Sequence, residues 1–170
     1  IDVFDHAGTP IFAPLEGRVY STHDNKGDKD YGPTLILEHH SIPEITFYTL
    51  YGHLGESVLA NWTVGQAVQA GDQIAVIGDY PLNGNWPPHV HFQIITDMLD
   101  NKVEFPGVVA PRYRNIWLSL SPNPNLILGL SQDIEADTAI NHNKIVETRQ
   151  KHLNRSMSTS YNTPLNIKRG

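Results

Sequence analysis

Between residues 9 and 97 the chain runs in short stretches rich in Val, Ile, Thr, Tyr and Phe, broken every few positions by Gly, Pro, Asp or Asn. Such runs, bounded by turn formers, are the mark of β-strands. They predict strands at 11–13, 18–23, 34–39, 45–51, 73–77 and 89–96, with turns at 24–32, 41–44 and 79–88. Gly71-Asp72 between Val68 and Ile74 is a tight-turn signal, Gly65 and Gly78 mark similar corners, and residues 64–78 read as a hairpin. The expected fold class is all-β, an antiparallel sandwich or flattened barrel.

Beyond Thr96 the alternation fades. Pro106, Pro111, Pro122 and Pro124 divide a segment whose apolar residues at 116–120 and 126–130 are suited to cover the β-structure. From 134 to 153, Ile134, Ala136, Ala139, Ile140, Ile145, Val146 and Leu153 stand at helical spacing among good helix formers, which predicts a linker helix. Residues 156–170 are polar and contain Pro164, so on their own they are expected to be extended. The chain therefore divides into a β domain with its covering segment, 1–130, and a linker helix with tail, 131–170.

Charge narrows the functional classes. Residues 1–130 hold 6 Lys/Arg against 14 Asp/Glu, and residues 131–170 hold 6 against 4. An acidic body is a poor footprint for nucleic acid. No apolar stretch approaches the roughly 18 residues of a membrane-spanning helix. With no cysteine, any metal must be held by His, Asp or Glu, and a thiolate nucleophile is excluded. The chain opens on Ile1 without a leader, which reads as a start inside a longer polypeptide.

Seven of the nine histidines fall within the first 91 residues, and they are the candidate chemistry. In His89-Val90-His91-Phe92 the strand period of two puts His89 and His91 on one face and sends Val90 and Phe92 to the core. Two imidazoles so placed can bind or flank one ion; they can equally be half-exposed strand residues. His53 follows the apolar strand 45–51 and Gly52, where a solitary histidine has a structural reading as well. Asp2 alone would be a solvated or capping carboxylate. His39 and His40 are adjacent and are read as strand-surface residues, while Asp5, His6 and Gly8 form a turn that aims His6 elsewhere.

Taken in order, these pieces resemble the lysostaphin-like (LytM-like) zinc metalloendopeptidases that hydrolyse peptidoglycan peptides. The matching residues are Ile1-Asp2, Gly8-Thr9-Pro10-Ile11, Ala13-Pro14 with Gly17, Tyr31-Gly32-Pro33 and Leu37-Glu38-His39. They continue through Tyr48-Thr49-Leu50-Tyr51-Gly52-His53-Leu54, Val64-Gly65-Gln66, Gly71-Asp72-Gln73-Ile74 and Gly78 to Pro88-His89-Val90-His91-Phe92-Gln93. The resemblance implies an antiparallel core of the duplicated hybrid motif type with a groove across one sheet. It implies Zn2+ held by Asp2, by His91 and by a histidine expected upstream of Ile1, and it casts His53 and His89 as the catalytic histidines that do not bind metal. It further implies a peptide or muropeptide substrate. Asn85-Trp86-Pro87-Pro88 departs from the small, Ser/Thr/Gly-rich turn of the family, and Trp86 is expected to narrow the groove.

The tail residues Arg149-Gln150-Lys151-His152-Leu153, Tyr161 and Pro164-Leu165-Asn166-Ile167-Lys168-Arg169-Gly170 resemble the lead-in to class III aminotransferases. That resemblance implies bacterial fusion proteins in which a peptidase-like domain sits between a kinase-like domain and an aminotransferase, with pyridoxal phosphate (PLP) only in the latter and a cytoplasmic location. Two other readings compete with a zinc hydrolase. One is a non-catalytic copy of the fold, a spacer or binding module, which would have no use for His53, His89 and His91 together. The other is a carrier module, since residues 64–78 resemble the hairpins of biotinyl and lipoyl carriers; a lysine-linked cofactor on that hairpin is excluded because no Lys lies between Lys29 and Lys102, leaving phosphate carriage on His53 or His89.

Overall fold

The computed structural model describes residues 1–42 and 45–129, which form one compact unit; the predicted linker helix and tail lie outside the described residues. Strands β1 (Asp2–Phe4), β2 (Pro10–Phe12), β3 (Gly17–Asn25), β4 (Gly32–Ile42) and β5 (Ile45–Gly52) come first. A short helix α1 (Val58–Asn61), strands β6 (Ala67–Val68), β7 (Gln73–Val76) and β8 (His89–Ile95), and helices α2 (Arg114–Leu120) and α3 (Asn125–Leu128) complete the order. The fold is mostly β, as expected: a six-stranded antiparallel sheet in the order β1-β8-β5-β4-β3-β6, beside a two-stranded sheet β2-β7.

The core explains why β4 reads as a continuous apolar run rather than an alternating one. Leu35 and Leu37 point to a cluster with Val19, Tyr51, Phe92, Ile94 and, from β7, Ile74 and Ala75. Ile36 points the other way, to Leu50, Ile95, Met98 and Phe105. A strand covered on both faces can be apolar at successive positions, as at Leu35, Ile36 and Leu37, and burial of each such side chain contributes about 1.5–3 kcal/mol. The second face is roofed by the segment after Thr96: Phe105 is fully buried against Trp117, ring centroids 5.3 Å apart, and Leu120 packs beside them. Ile127 and Leu128 of α3 pack on the first cluster, so the covering role expected of 116–130 is seen as far as the described residues go.

Two expectations are corrected. Residues 64–78 are not a hairpin: β6 pairs with β3 in the large sheet and β7 with β2 in the small one, so the turn at Gly71 passes the chain between sheets. His39 is not a surface residue but wholly buried. Alternation along β4 places it on the side of Leu35 and Leu37, and its polarity is met there. Nδ1 lies 2.7 Å from the Glu16 carbonyl, Nε2 lies 2.7 Å from Thr49 Oγ1, and the ring stacks on Phe47. An imidazole with both nitrogens bonded can be buried without the penalty of a lost hydrogen bond.

Candidate active site

The site lies where the roofed face of the large sheet runs out toward β1. On β8 the residues His89, His91 and Gln93 share this face with Ile95, and β1 pairs alongside with Asp2 opposite His91 and Phe4 opposite His89. Asp2 Oδ1 stands 2.8 Å from His91 Nδ1. That hydrogen bond, above all, holds the Asp2 carboxyl below its usual range. The sequence treats Asp2 as an isolated carboxylate near a terminus; strand pairing across 89 residues makes it a partner of His91.

His53 arrives from the end of β5. Its backbone is in the left-handed region, φ 61°, a conformation uncommon for a residue with a side chain. Two backbone hydrogen bonds hold it there, from its own N–H to the Tyr31 carbonyl at 2.7 Å and from Gly78 N–H to its carbonyl at 2.9 Å. Gly78 is required at this point, because a Cβ there would meet the carbonyl oxygens of His53 and Leu54. The kink turns the His53 ring onto His89, with centroids 4.3 Å apart, and edge-on to His91 at 6.2 Å. The structure thus brings Asp2, His53, His89 and His91 together, and leaves His6 exposed against Asp5 and His40 against Glu38.

The protonation pattern follows from the partners. His53 Nδ1 lies 2.9 Å from the Asn83 carbonyl, and His89 Nδ1 lies 2.7 Å from the Pro87 carbonyl. A carbonyl only accepts, so both rings carry their proton on Nδ1, and in the neutral ring Nε2 keeps its lone pair. Neither Nε2 has a hydrogen-bond partner among the described residues. Burial pushes His53 down to about 4 and lowers His89 as well. Desolvation penalises the charged imidazolium, so two neutral bases stand side by side.

The walls are aromatic. The Tyr31 ring lies 5.7 Å from His53 and 5.1 Å from His91, and its hydroxyl donates to the Phe105 carbonyl at 2.9 Å. Burial raises the Tyr31 pKa, so it stays a phenol. Trp86 stands 5.9 Å from His53 and 6.0 Å from His89, with the Lys29 ammonium 4.7 Å over its ring. Asn83, fully buried, braces this loop by accepting from Trp86 N–H and donating to the Gly78 and Trp86 carbonyls. Asn83, Tyr31 and Gln93 escape the sequence reading as site residues. Tyr31 and Gln93 do stand among the residues that carry the resemblance, and Gln93 lies two positions from His91 on one strand; Asn83 carried no signal.

As a metal centre the donor set is partial. Asp2 and His91 supply an oxygen and a nitrogen, the donor types zinc takes. Among the described residues no three His, Cys, Asp or Glu side chains are placed to hold one ion.

The family model of peptidase family M23 matches residues 1–103. Among solved structures, the catalytic domain of the antimicrobial peptidase lysostaphin from Staphylococcus simulans is 23% identical, covering 62% of this chain and 72% of that one, with a TM-score of 0.45. A zinc-containing peptidase from Vibrio cholerae is 28% identical over 55% of this chain and 25% of its own, with a TM-score of 0.44. The longer lysostaphin chain from Staphylococcus simulans is 20% identical over 81% of this chain and 46% of its own, with a TM-score of 0.49. No curated protein matches the chain.

Proposed function

Because the chain belongs to peptidase family M23, we propose that it is a zinc-dependent hydrolase of peptide bonds in peptidoglycan-type peptides or muropeptides. The observation that carries this reading is the pair of neutral imidazoles, His53 and His89, with unpartnered Nε2 atoms beside the Asp2–His91 pair. Asp2 and His91 would hold the zinc, with a third ligand from outside the described residues. Bound there, the ion would supply Lewis acidity toward a peptide carbonyl and toward water.

The chain's own residues do the rest. Hydrolysis needs a base to take a proton from the attacking water and an acid to return it to the leaving amine. A neutral imidazole kept uncharged by burial can do the first at Nε2 and, once protonated, the second. His89, on the strand of His91, is one such base, and His53 the other or the donor that steadies charge on the carbonyl oxygen. Trp86 packs against both rings, and Tyr31 packs against His53 and His91.

Zinc per chain by elemental analysis, together with cleavage of Gly- and D-Ala-containing peptides, tests the proposal. His91→Ala should lose zinc and cleavage together; His53→Ala and His89→Ala should lose cleavage while retaining zinc. Loss of zinc in either of the last two would overturn the division of roles. The count of two ligands among the described residues favours a second reading, a non-catalytic copy acting as a spacer or binding module, and absence of zinc after reconstitution would select it. On the tail's resemblance we propose in addition that the domain is fused to kinase-like and aminotransferase domains in a bacterial cytoplasmic protein. A native polypeptide no heavier than 19.0 kDa would refute the fusion.

A further inference from the structure

Gln93 is buried at 6% exposure, two residues beyond His91 on the same face of β8. Its amide nitrogen lies 3.2 Å from the Pro106 carbonyl, and its amide oxygen lies 3.1 Å from His91 Nε2. The Pro106 carbonyl has no proton to give. It therefore orients the amide, NH2 toward Pro106 and oxygen toward His91. An amide oxygen only accepts, so His91 must carry a proton on Nε2.

We infer that Gln93 is a positioning residue: through the chain Pro106 carbonyl, Gln93 and His91 it fixes the Nε2–H form of His91, leaving Nδ1 as the nitrogen that faces Asp2. The polarity is opposite to that of its neighbours. His53 and His89 donate through Nδ1 to backbone carbonyls and present Nε2, whereas His91 donates through Nε2 and presents Nδ1. With Nδ1 and Asp2 Oδ1 only 2.8 Å apart, two electron-rich atoms meet and a cation belongs with them. A proton on Nδ1 serves in the metal-free protein, and a metal ion can take its place. A buried acceptor that sets the tautomer of a ligating histidine is the way metal sites orient their ligands. The anchoring carbonyl, Pro106, lies outside the residues 1–103 that the family model matches.

This inference rests on the zinc-hydrolase reading for its purpose, but it can be tested without metal. Two-bond 1H–15N correlation of the histidine rings in the metal-free wild-type chain should show His91 Nε2 protonated and its proton slow to exchange. A bare, pyridine-type Nε2 would overturn the inference outright, even if Gln93 variants fail to fold. Gln93→Leu should speed exchange of that proton at least tenfold, whereas Gln93→Glu, which keeps an acceptor against Nε2, should protect it; equal exchange in wild type and Gln93→Leu would also overturn it. Zinc titration forms a separate arm, in which Gln93→Leu should bind roughly 10–100-fold more weakly than wild type. A wild-type chain with Nε2 protonated that takes up no zinc would sustain the role of Gln93 and count against the hydrolase.

Discussion

The depressed imidazole of His53 makes folding stability depend on pH in a calculable way. In the unfolded chain His53 titrates near the ordinary value of 6.5, and in the folded chain near 4. The largest cause is burial, the next the neighbouring His89. Between those two values the unfolded state binds a proton that the folded state refuses, so stability falls as the medium is acidified. Every tenfold drop in proton affinity corresponds to about 1.4 kcal/mol. Going from about pH 7 to about pH 4.5, the linkage amounts to about 2.5 kcal/mol, and little more is lost below pH 4, where both states are protonated. Urea unfolding of the chelator-treated protein at both pH values measures this. His53→Gln, which cannot titrate, should lose about 2.5 kcal/mol less than wild type over the interval. His39 and His89, also lowered by burial, act with the same sign in both proteins and largely cancel in the comparison. Equal losses in wild type and His53→Gln would refute the claim that His53 is held neutral.

Asn83→Ala removes the bonds to Gly78 and Trp86 and leaves buried groups unpaired; a destabilisation of about 1–3 kcal/mol is expected by urea unfolding. A larger fractional loss in peptide cleavage should accompany it, since the His53 anchor sits on the same residue. Gly107→Ala would drive a Cβ against the Tyr31 hydroxyl and close to His91 Cε1, so cleavage should fall while the melting temperature changes by only a few degrees; unchanged cleavage would show that Tyr31 can move freely. Phe105→Ala empties the centre of the second cluster, and about 3–5 kcal/mol should be lost, measured as a lower urea midpoint at constant slope.

Much of this protein was legible along its sequence. Apolar runs broken by Gly, Pro and Asp reflect local backbone preference and burial, so the predicted strands appear, with ends displaced by a few residues at most, as β2, β3, β4, β5, β7 and β8. The period of two placed His89 and His91 on one face and Phe92 in the core without any knowledge of the partner strands.

What tertiary structure alone decided depends on contacts between residues far apart in the chain. Pairing of β1 with β8 turned Asp2 from a lone carboxylate into the partner of His91. The left-handed turn at His53, held by Tyr31 and Gly78, swung a solitary histidine onto His89. Only the docking of loop carbonyls at Asn83 and Pro87 chose which nitrogen of the His53 and His89 rings carries the proton. A tautomer is set by the group across the hydrogen bond, and that group is not written beside the histidine in the sequence.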